Sequence, residues 1–290
     1  MIEGIDVSYY QGQIDWPKVA AAGKRFAIIR SGDGTFRDPM VETYLEGATA
    51  AGLYVDIYHY LRFGLPPEYM AGICNIRHLM ATHYNPKARL WLDWEDTSNA
   101  AKAMPVTDRV DWALKLIDSL SCPIGHYSAA WWWNPYMGNC DPGGPKWVAH
   151  YKTGGSPTLP SGWNSWSVWQ YGSSGAVDGI EGNVDLDLAQ DGFFPVGGGD
   201  MGSGLSQTSE NWTKATIAEA IKQQGYKPKL FRIDGQDEIM ELRADGLFHI
   251  DGETYIRLGY DKLPVEVVAK DDPILKRRVS YPAGVPAEMH

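Results

Sequence analysis

Four acidic side chains have a spacing that could support acid–base chemistry. In the stretch from Leu90 to Glu95, the period-two alternation of a strand places Asp93 and Glu95 on one face, with Cα atoms about 6.6–7 Å apart. The same alternation turns Asp6 inward in the first of eight apolar runs and Asp185 inward near the end of the eighth. We therefore expect these four carboxyl groups to line one opening of the fold.

Glycoside hydrolases use clustered carboxyl groups for catalysis. Each negative charge raises the pKa of its neighbours, so one member of a buried cluster can stay protonated near neutral pH. That member can donate a proton to a leaving oxygen while a second carboxylate stabilises positive charge or acts as base or nucleophile. The alternative is that these are surface acids at strand ends. For Asp93 and Glu95 a functional role is favoured over a surface position, because their apolar strand offers no stabilising partner.

Aromatic residues end several of the same apolar runs and indicate a sugar-binding surface. Sugar rings present apolar C–H faces that suit tyrosine and tryptophan rings. The shared location at strand ends, rather than any single ring, favours ligand contact over core packing. The candidates are Tyr58, Tyr60, Tyr127, Tyr151, Trp169 and Tyr171, with Gln170 as a hydrogen-bonding partner for sugar or acids. The run Trp131, Trp132 and Trp133 fits either a lid over a cleft or the packing of a short helix.

The elements that must position these residues are eight short strands. The apolar runs cover residues 2–7, 26–30, 54–61, 90–94, 124–127, 147–151, 168–171 and 184–186. Helical segments follow the first four runs at 16–22, 39–51, 67–82 and 106–120. Strands alternating with helices predict a parallel α/β sheet, and eight strands in about 195 residues predict a closed barrel. The later connections are rich in Gly, Pro and Trp, so the last three strands are predicted to lack full helices.

The composition predicts two modules. Eleven of the twelve tryptophans precede residue 170, and a Gly/Ser-rich stretch follows residue 196. We predict a catalytic barrel over 1–196, a linker over 197–210 and a small α+β module over 211–290. In that module a helix is predicted at 213–224, and four strands at 230–233, 238–243, 247–250 and 255–258 should form an antiparallel sheet, since Asp-Gly pairs separate them. The tail 271–290 is predicted to be extended.

Charge and residue spacing exclude several other classes of function. With 26 Lys+Arg against 36 Asp+Glu, a net charge of −10 argues against nucleic-acid or membrane partners, and no apolar run is long enough to span a bilayer. The amino terminus shows no signal-peptide pattern, so we expect synthesis in the cytoplasm and delivery by another agent. Three widely spaced cysteines indicate a reduced interior, and seven histidines show no ligand spacing. We therefore expect neither metal nor cofactor, and a zinc amidase, esterase or peptidase is disfavoured.

The motifs, taken in order over residues 1–195, resemble the lysozymes of glycoside hydrolase family 25. These are the Chalaropsis-type muramidases, which are common among bacteriophage endolysins. The motifs that carry the resemblance are Gly4-Ile5-Asp6-Val7-Ser8, Tyr58-His59-Tyr60, Leu92-Asp93-Trp94-Glu95, Trp147-Val148-Ala149-His150-Tyr151, Trp169-Gln170-Tyr171 and Val184-Asp185-Leu186. One departure is Asp187, where the family often has Asn.

The resemblance implies a distorted TIM-like barrel of five β/α units followed by three strands. It also implies a peptidoglycan hydrolase that cleaves the β-1,4 bond between N-acetylmuramic acid and N-acetylglucosamine. Glu95 would be the general acid, Asp93 its partner, and Asp6 and Asp185 would complete the acidic cluster. Two alternatives are a chitinase-like or other glycan hydrolase, and a wall-glycan binding protein without catalysis.

The resemblance also implies how the enzyme would reach the bacterial wall. A bacteriophage endolysin made in the host cytoplasm would act on the bacterial wall after release with a separate holin. From its position, linker and size, and not from any family resemblance, the module at 211–290 is expected to bind a cell-wall polymer, with oligomerisation or simple stabilisation as the alternatives.

Overall fold

The computed structural model describes residues 1–195, together with the backbone of four strands between residues 229 and 268. The chain divides into two compact units, residues 1–205 and 206–290. Within the described residues no helix is long and apolar enough to cross a bilayer. The cysteines Cys74, Cys122 and Cys140 are free thiols.

The first unit is an eight-stranded closed barrel, as predicted. Neighbouring strands pair around the ring, and the first strand pairs with both the second and the last, which closes it. A short ribbon, β3 (Phe36–Arg37), pairs with β2 outside the ring. The barrel strands are β1 (Ile2–Val7), β2 (Phe26–Asp33), β4 (Tyr54–Tyr60), β5 (Leu90–Asp93), β6 (Ile124–Ala129), β7 (Lys146–Ala149), β8 (Val168–Gly175) and β9 (Val184–Ala189).

Helices follow the first five barrel strands and are missing after the next two within residues 1–195, which confirms the five β/α units and three strands. The helices are α1 (Trp16–Ala21), α2 (Val41–Ala50), α3 (Pro67–Thr82), α4 (Asn99–Ala103), α5 (Val106–Asp118) and α6 (Ala130–Met137), with a 3-10 turn at Tyr9–Gln11. The short α4 was not predicted, because it shows no apolar periodicity over enough residues, whereas α6 is the short helix that was one of two interpretations of the tryptophan run.

The direction of the last strand differs from the parallel sheet predicted. The first seven barrel strands are parallel to their neighbours, whereas β9 runs antiparallel to both β8 and β1. Asp185 therefore lies at the beginning of its strand and not near its end. It still reaches the same rim as Asp6, because the two residues are directly paired across β1 and β9.

The barrel interior beneath the rim is closed by large apolar side chains. Phe26, Trp91 and Phe194 are fully buried in an inner cluster that is separate from the helix-facing core. Two inward positions are glycines because the rings need their space. A Cβ on Gly4 would lie 2.4 Å from the Phe26 ring, and one on Gly125 would lie 2.5 Å from the Trp91 ring.

The alternate side chains of the same strands pack outward against the helices. Leu90, Leu92 and Trp94 belong to this outer core, as the alternation predicts. His59 and His126 lie on the same side and are almost fully buried. Burial lowers the pKa of each imidazole to about 3, so both are neutral structural groups.

Four strands are described in the second unit: β10 (Lys229–Ile233), β11 (Ile239–Arg243), β12 (Gly246–Ile250) and β13 (Val265–Val268). They form one sheet in the order β12-β11-β10-β13. The first three pair antiparallel, as predicted, but β13 is parallel to β10, so the sheet is mixed. The predicted helix at 213–224, the strand at 255–258, the linker and the tail lie outside the described residues.

Candidate active site

A cavity of about 190 Å³ opens at the rim where the parallel strands end. Nine of the eleven site residues predicted from the sequence line it, and Arg30 and Trp147 are added to them. The lining consists of Asp6, Arg30, Tyr58, Tyr60, Asp93, Glu95, Tyr127, Trp147, Tyr151, Gln170 and Asp185. A larger groove of about 840 Å³ lies on the outside of the barrel, near Trp16 and Tyr44, and contains none of these residues.

Two predicted residues, Trp169 and Tyr171, do not line the cavity. They flank Gln170 on β8, so when Gln170 points inward its neighbours must point outward. Trp169 is buried, donates its indole N–H to the His150 carbonyl at 2.8 Å, and packs against Trp166. The alternation that located the acids would have separated these two residues from the site.

Asp93 and Glu95 reach the cavity from the end of β5. Asp93 is the last residue of the strand and is buried, whereas Glu95 is partly exposed. The backbone of Trp94 and Glu95 is held in place by side chains of the neighbouring strands. The Tyr60 hydroxyl donates to the Glu95 carbonyl at 2.7 Å, and the Ser128 hydroxyl donates to the Trp94 carbonyl at 2.9 Å.

The surroundings of the two carboxyl groups differ in charge. Burial raises the pKa of Glu95 to about 7, and the negative charge of Asp185 adds to the rise. Burial and the charge of Glu95 also raise the pKa of Asp93 well above its usual range, but Arg30 and Arg62 oppose that rise. No cation among residues 1–195 opposes it at Glu95. The pair therefore holds a proton near neutral pH, and the two arginines favour the negative charge on Asp93.

The two arginines are held by other acids. Arg30 donates to Asp38 at 2.8 Å, and its Nη2 has no hydrogen-bond partner among residues 1–195. Arg62 forms a two-pronged ion pair with Asp33 at 2.5 Å. Arg30 was not among the site residues predicted from the sequence, although its side chain shares the inward parity of Phe26 in the same strand.

A second acidic cluster lies across the cavity, where β1 meets β9. Asp6 pairs directly with Asp185 across the two strands, and the fully buried Asp187 lies close enough for the three carboxyl groups to affect one another's pKa. Burial, followed by the charges of Asp187 and Asp185, raises the pKa of Asp6 well above its usual range. Burial raises the pKa of Asp187 to about 8, and Asp187 accepts the Trp147 indole N–H at 2.8 Å. This cluster therefore also retains protons at neutral pH.

Gln170 connects this cluster to the aromatic wall. Its Nε2 donates to Asp6 at 2.7 Å, and its Oε1 accepts the hydroxyls of Tyr127 at 2.8 Å and Tyr151 at 3.1 Å. The amide is thus fixed with its donor toward the acid. The Trp147 ring lies 4.3 Å from the Tyr127 ring, which builds an aromatic wall beside the carboxyl groups.

The acids of the site do not form a recognisable metal centre. Within residues 1–195, no group of three or more His, Cys, Asp or Glu side chains has an arrangement that could hold a metal ion. The arrangement instead provides two carboxyl groups, Asp93 and Glu95, that both have a raised pKa and together hold a proton near neutral pH, with aromatic rings next to both.

Comparison with known proteins places this barrel in a family. Residues 5–180 match the family described as Glycosyl hydrolases family 25. The chain belongs to glycosyl hydrolase family 25. The match covers the barrel up to the connection before β9 and includes every cavity-lining residue except Asp185, which lies just beyond it.

Several curated relatives of this family 25 chain are named as lysozymes. It is 30% identical to Lysozyme M1 of Streptomyces globisporus over 199 residues, which are 63% of this chain and 66% of the relative. It is 25% identical to the N,O-diacetylmuramidase of Chalaropsis sp over 203 residues, which are 63% of this chain and 96% of the relative. The chain thus spans slightly less than two thirds of Lysozyme M1.

Solved structures share the barrel. The bacterial lysozyme from Streptomyces coelicolor is similar with a TM-score of 0.52 and 27% identity, covering 65% of this chain and 91% of that one. The catalytic domain of endolysin ply40 from bacteriophage P40 of Listeria monocytogenes has a TM-score of 0.56 at 21% identity and covers 67% and 95%. At 21% identity, the similarity to the endolysin domain shows a shared fold alone.

Proposed function

We propose that this family 25 chain is an N-acetylmuramidase that cleaves the β-1,4 bond between N-acetylmuramic acid and N-acetylglucosamine in peptidoglycan. The observation that carries the proposal is the unequal charge around two carboxyl groups in one cavity. Burial raises the pKa of both groups, but Arg30 and Arg62 oppose the rise at Asp93, whereas the charge of Asp185 adds to it at Glu95. The names of the relatives, a lysozyme and a muramidase, supply the substrate class.

Glu95 is assigned the role of general acid. Its pKa near 7 leaves the carboxyl largely protonated below neutrality. Protonation of the glycosidic oxygen turns the departing sugar into a neutral alcohol and so lowers the barrier to bond cleavage. The Tyr60 hydroxyl on the Glu95 carbonyl keeps this acid at the mouth of the cavity.

Asp93 is assigned the role of the negatively charged partner. Cleavage develops positive charge on the sugar ring, and a buried carboxylate next to it stabilises that charge. The Oδ1 atom of Asp93 is buried and has no hydrogen-bond partner among residues 1–195, so it is available to substrate. The same group can act directly at the anomeric carbon or support a substrate N-acetyl group that attacks its own anomeric carbon.

Substitution of the acid tests the mechanism. Glu95→Gln should lower kcat on purified peptidoglycan by about 10²–10⁴-fold, because an amide cannot donate the required proton. Glu68→Gln, a matched change at an exposed position in α3, should leave kcat unchanged. Circular dichroism spectra of the three proteins should coincide, which would show that the fold is intact. Full turnover by Glu95→Gln would contradict the assignment.

Mass analysis of the released fragments tests the bond cleaved. Muramic acid at the new reducing ends supports a muramidase. Glucosamine at the reducing ends would indicate a glucosaminidase, and released peptides an amidase. Binding of peptidoglycan without any release of fragments would indicate a wall-binding protein that lacks catalysis.

For the second unit we propose binding to a cell-wall polymer, on the basis of its position after the barrel. A chain that ends at residue 205 should lose co-sedimentation with cell walls and keep its monomeric mass. If the full chain is oligomeric and the shortened one monomeric, the unit serves assembly. A bacteriophage source and release with a separate holin stay predictions.

A further inference from the structure

The three consecutive tryptophans of α6 have different environments. Trp132 and Trp133 are fully buried, and their indole N–H groups donate to the carbonyls of Asp96 at 3.0 Å and Cys140 at 3.1 Å. Both therefore belong to the core. Trp131 is 64% exposed and contributes to neither of these contacts. A single exposed ring is common on protein surfaces, so its meaning depends on what surrounds it.

Trp131 lines a pocket next to the catalytic cavity. This side pocket has a volume of about 260 Å³ and is formed by Trp131, His150, Tyr151 and Thr158, with alanines completing its wall. Tyr151 lines both the side pocket and the catalytic cavity. The two spaces are thus adjacent on the same rim, and Tyr151 is 57% exposed where they meet.

The lining of the side pocket is aromatic, polar and uncharged. His150 accepts the Thr158 backbone N–H at its Nδ1 atom, at 2.8 Å. This hydrogen bond assigns the ring proton to Nε2, which leaves an N–H donor for an oxygen of a ligand. Among residues 1–195, no Asp, Glu, Lys or Arg side chain lines the pocket. An aromatic face combined with neutral hydrogen-bonding groups suits the C–H face and hydroxyl groups of a sugar ring.

We propose that the side pocket binds a further, uncharged sugar ring of the same glycan strand, stacked on Trp131. This inference rests on the proposed function, since a strand threaded through the catalytic cavity would pass Tyr151 into the side pocket. The peptide stem of peptidoglycan is a poorer fit, because its carboxylate and ammonium groups would meet no opposite charge there. Trp131 would then contribute to binding of long strands without touching the bond that is cleaved.

The test compares Trp131→Ala with two controls. Leu114→Ala removes a similarly exposed apolar side chain, 53% exposed on α5 and absent from both pockets. Trp131→Tyr keeps an aromatic face. On glycan strands freed of peptide, Trp131→Ala should raise KM about tenfold with kcat nearly unchanged. Leu114→Ala should behave like wild type, and Trp131→Tyr should recover most of the loss.

Substrate length and composition separate the outcomes. On the shortest oligosaccharide that is cleaved, Trp131→Ala should match wild type, because the side pocket is then empty. Equal KM values for Trp131→Ala and Leu114→Ala on long strands would overturn the proposal. A loss seen only on strands that still carry peptide would overturn it as well and assign the pocket to the stem.

A binding measurement keeps this inference separate from the proposed function. Calorimetry of the full chain carrying Glu95→Gln with peptide-free glycan strands reports binding without turnover. About tenfold weaker binding after the additional Trp131→Ala change supports the side pocket even if the wild-type chain cleaves nothing. Binding that is absent, or that does not depend on Trp131, refutes it even if the wild-type chain is an active muramidase.

Discussion

Asp187→Asn provides a sharp test of the buried acidic cluster. Asp187 is fully buried and accepts the Trp147 indole N–H at its Oδ1 atom. An asparagine has nearly the same shape as a protonated aspartic acid, and its Oδ1 can accept the same hydrogen bond from Trp147. The substitution therefore removes the titration of this group while keeping its shape and that hydrogen bond.

The expected gain in stability depends on pH. Burial raises the pKa of Asp187 to about 8 in the folded chain, whereas the unfolded value lies near 4. A raised folded pKa stabilises the wild type below pH 4, and that contribution is lost as pH rises toward 8. The loss is about 1.4 kcal/mol per pH unit, so the variant should become more stable than wild type by on the order of 5 kcal/mol at pH 8 and by nothing at pH 4.

Thermal melts from pH 4 to 8.5 measure this difference. Tryptophan fluorescence reports the barrel, because eleven of the twelve tryptophans lie between residues 16 and 169. The Tm of Asp187→Asn should match wild type at pH 4 and exceed it by on the order of 10 °C at pH 8. Asp111→Asn, an exposed position on α5, should shift Tm little and equally at every pH. Parallel curves for Asp187→Asn and wild type would show that Asp187 is ionised throughout and refute the reasoning.

Three further predictions concern the acid, the packing and the amide. The kcat/KM of the wild type should fall about tenfold per pH unit above pH 7, because Glu95 loses its proton near a pKa of about 7; activity that is constant to pH 9 would exclude it as the acid. Gly125→Ala should lower stability by about 1–3 kcal/mol in urea titrations, since its Cβ would lie 2.5 Å from the Trp91 ring, whereas Gly72→Ala, with nothing within 4 Å, should not. Gln170→Leu should lower kcat/KM by about tenfold or more, because a buried carboxyl loses its donor at 2.7 Å; unchanged kinetics would make that contact merely structural.

Most of the cavity could be predicted because strand alternation depends only on local sequence. The alternation that turns Asp93 inward continues for two residues past the end of β5, and it brings Glu95 to the same cavity. The same rule also covers Arg30 and Trp147, which share the inward parity of their strands. Arg30 and Trp147 were not among the predicted site residues, because the prediction rested on acids and strand-end aromatics and not on every inward position. Trp169 was misplaced for the opposite reason, since its strand-end location was weighed above its parity.

The direction of β9 could not be predicted from alternation, which is the same for both directions. The available signal was the connection before it. Residues 176–183 link β8 to β9, and a parallel crossover needs a dozen residues or more. The short link therefore favours an antiparallel pair. Reversal did not change which residues face inward, so Asp185 reached the expected rim from the opposite end of its strand.

The charges around each acid depend on tertiary structure and were beyond the sequence pattern. Asp93 and Glu95 are two residues apart on one face, and alternation treats them as equivalent. What distinguishes them is the identity of their neighbours, because Arg30 and Arg62 act on Asp93 while Asp185 acts on Glu95. Those neighbours come from β2, from the segment after β4 and from β9. The difference in charge around the two acids is therefore a property of the closed barrel, which brings three distant segments to the end of one strand.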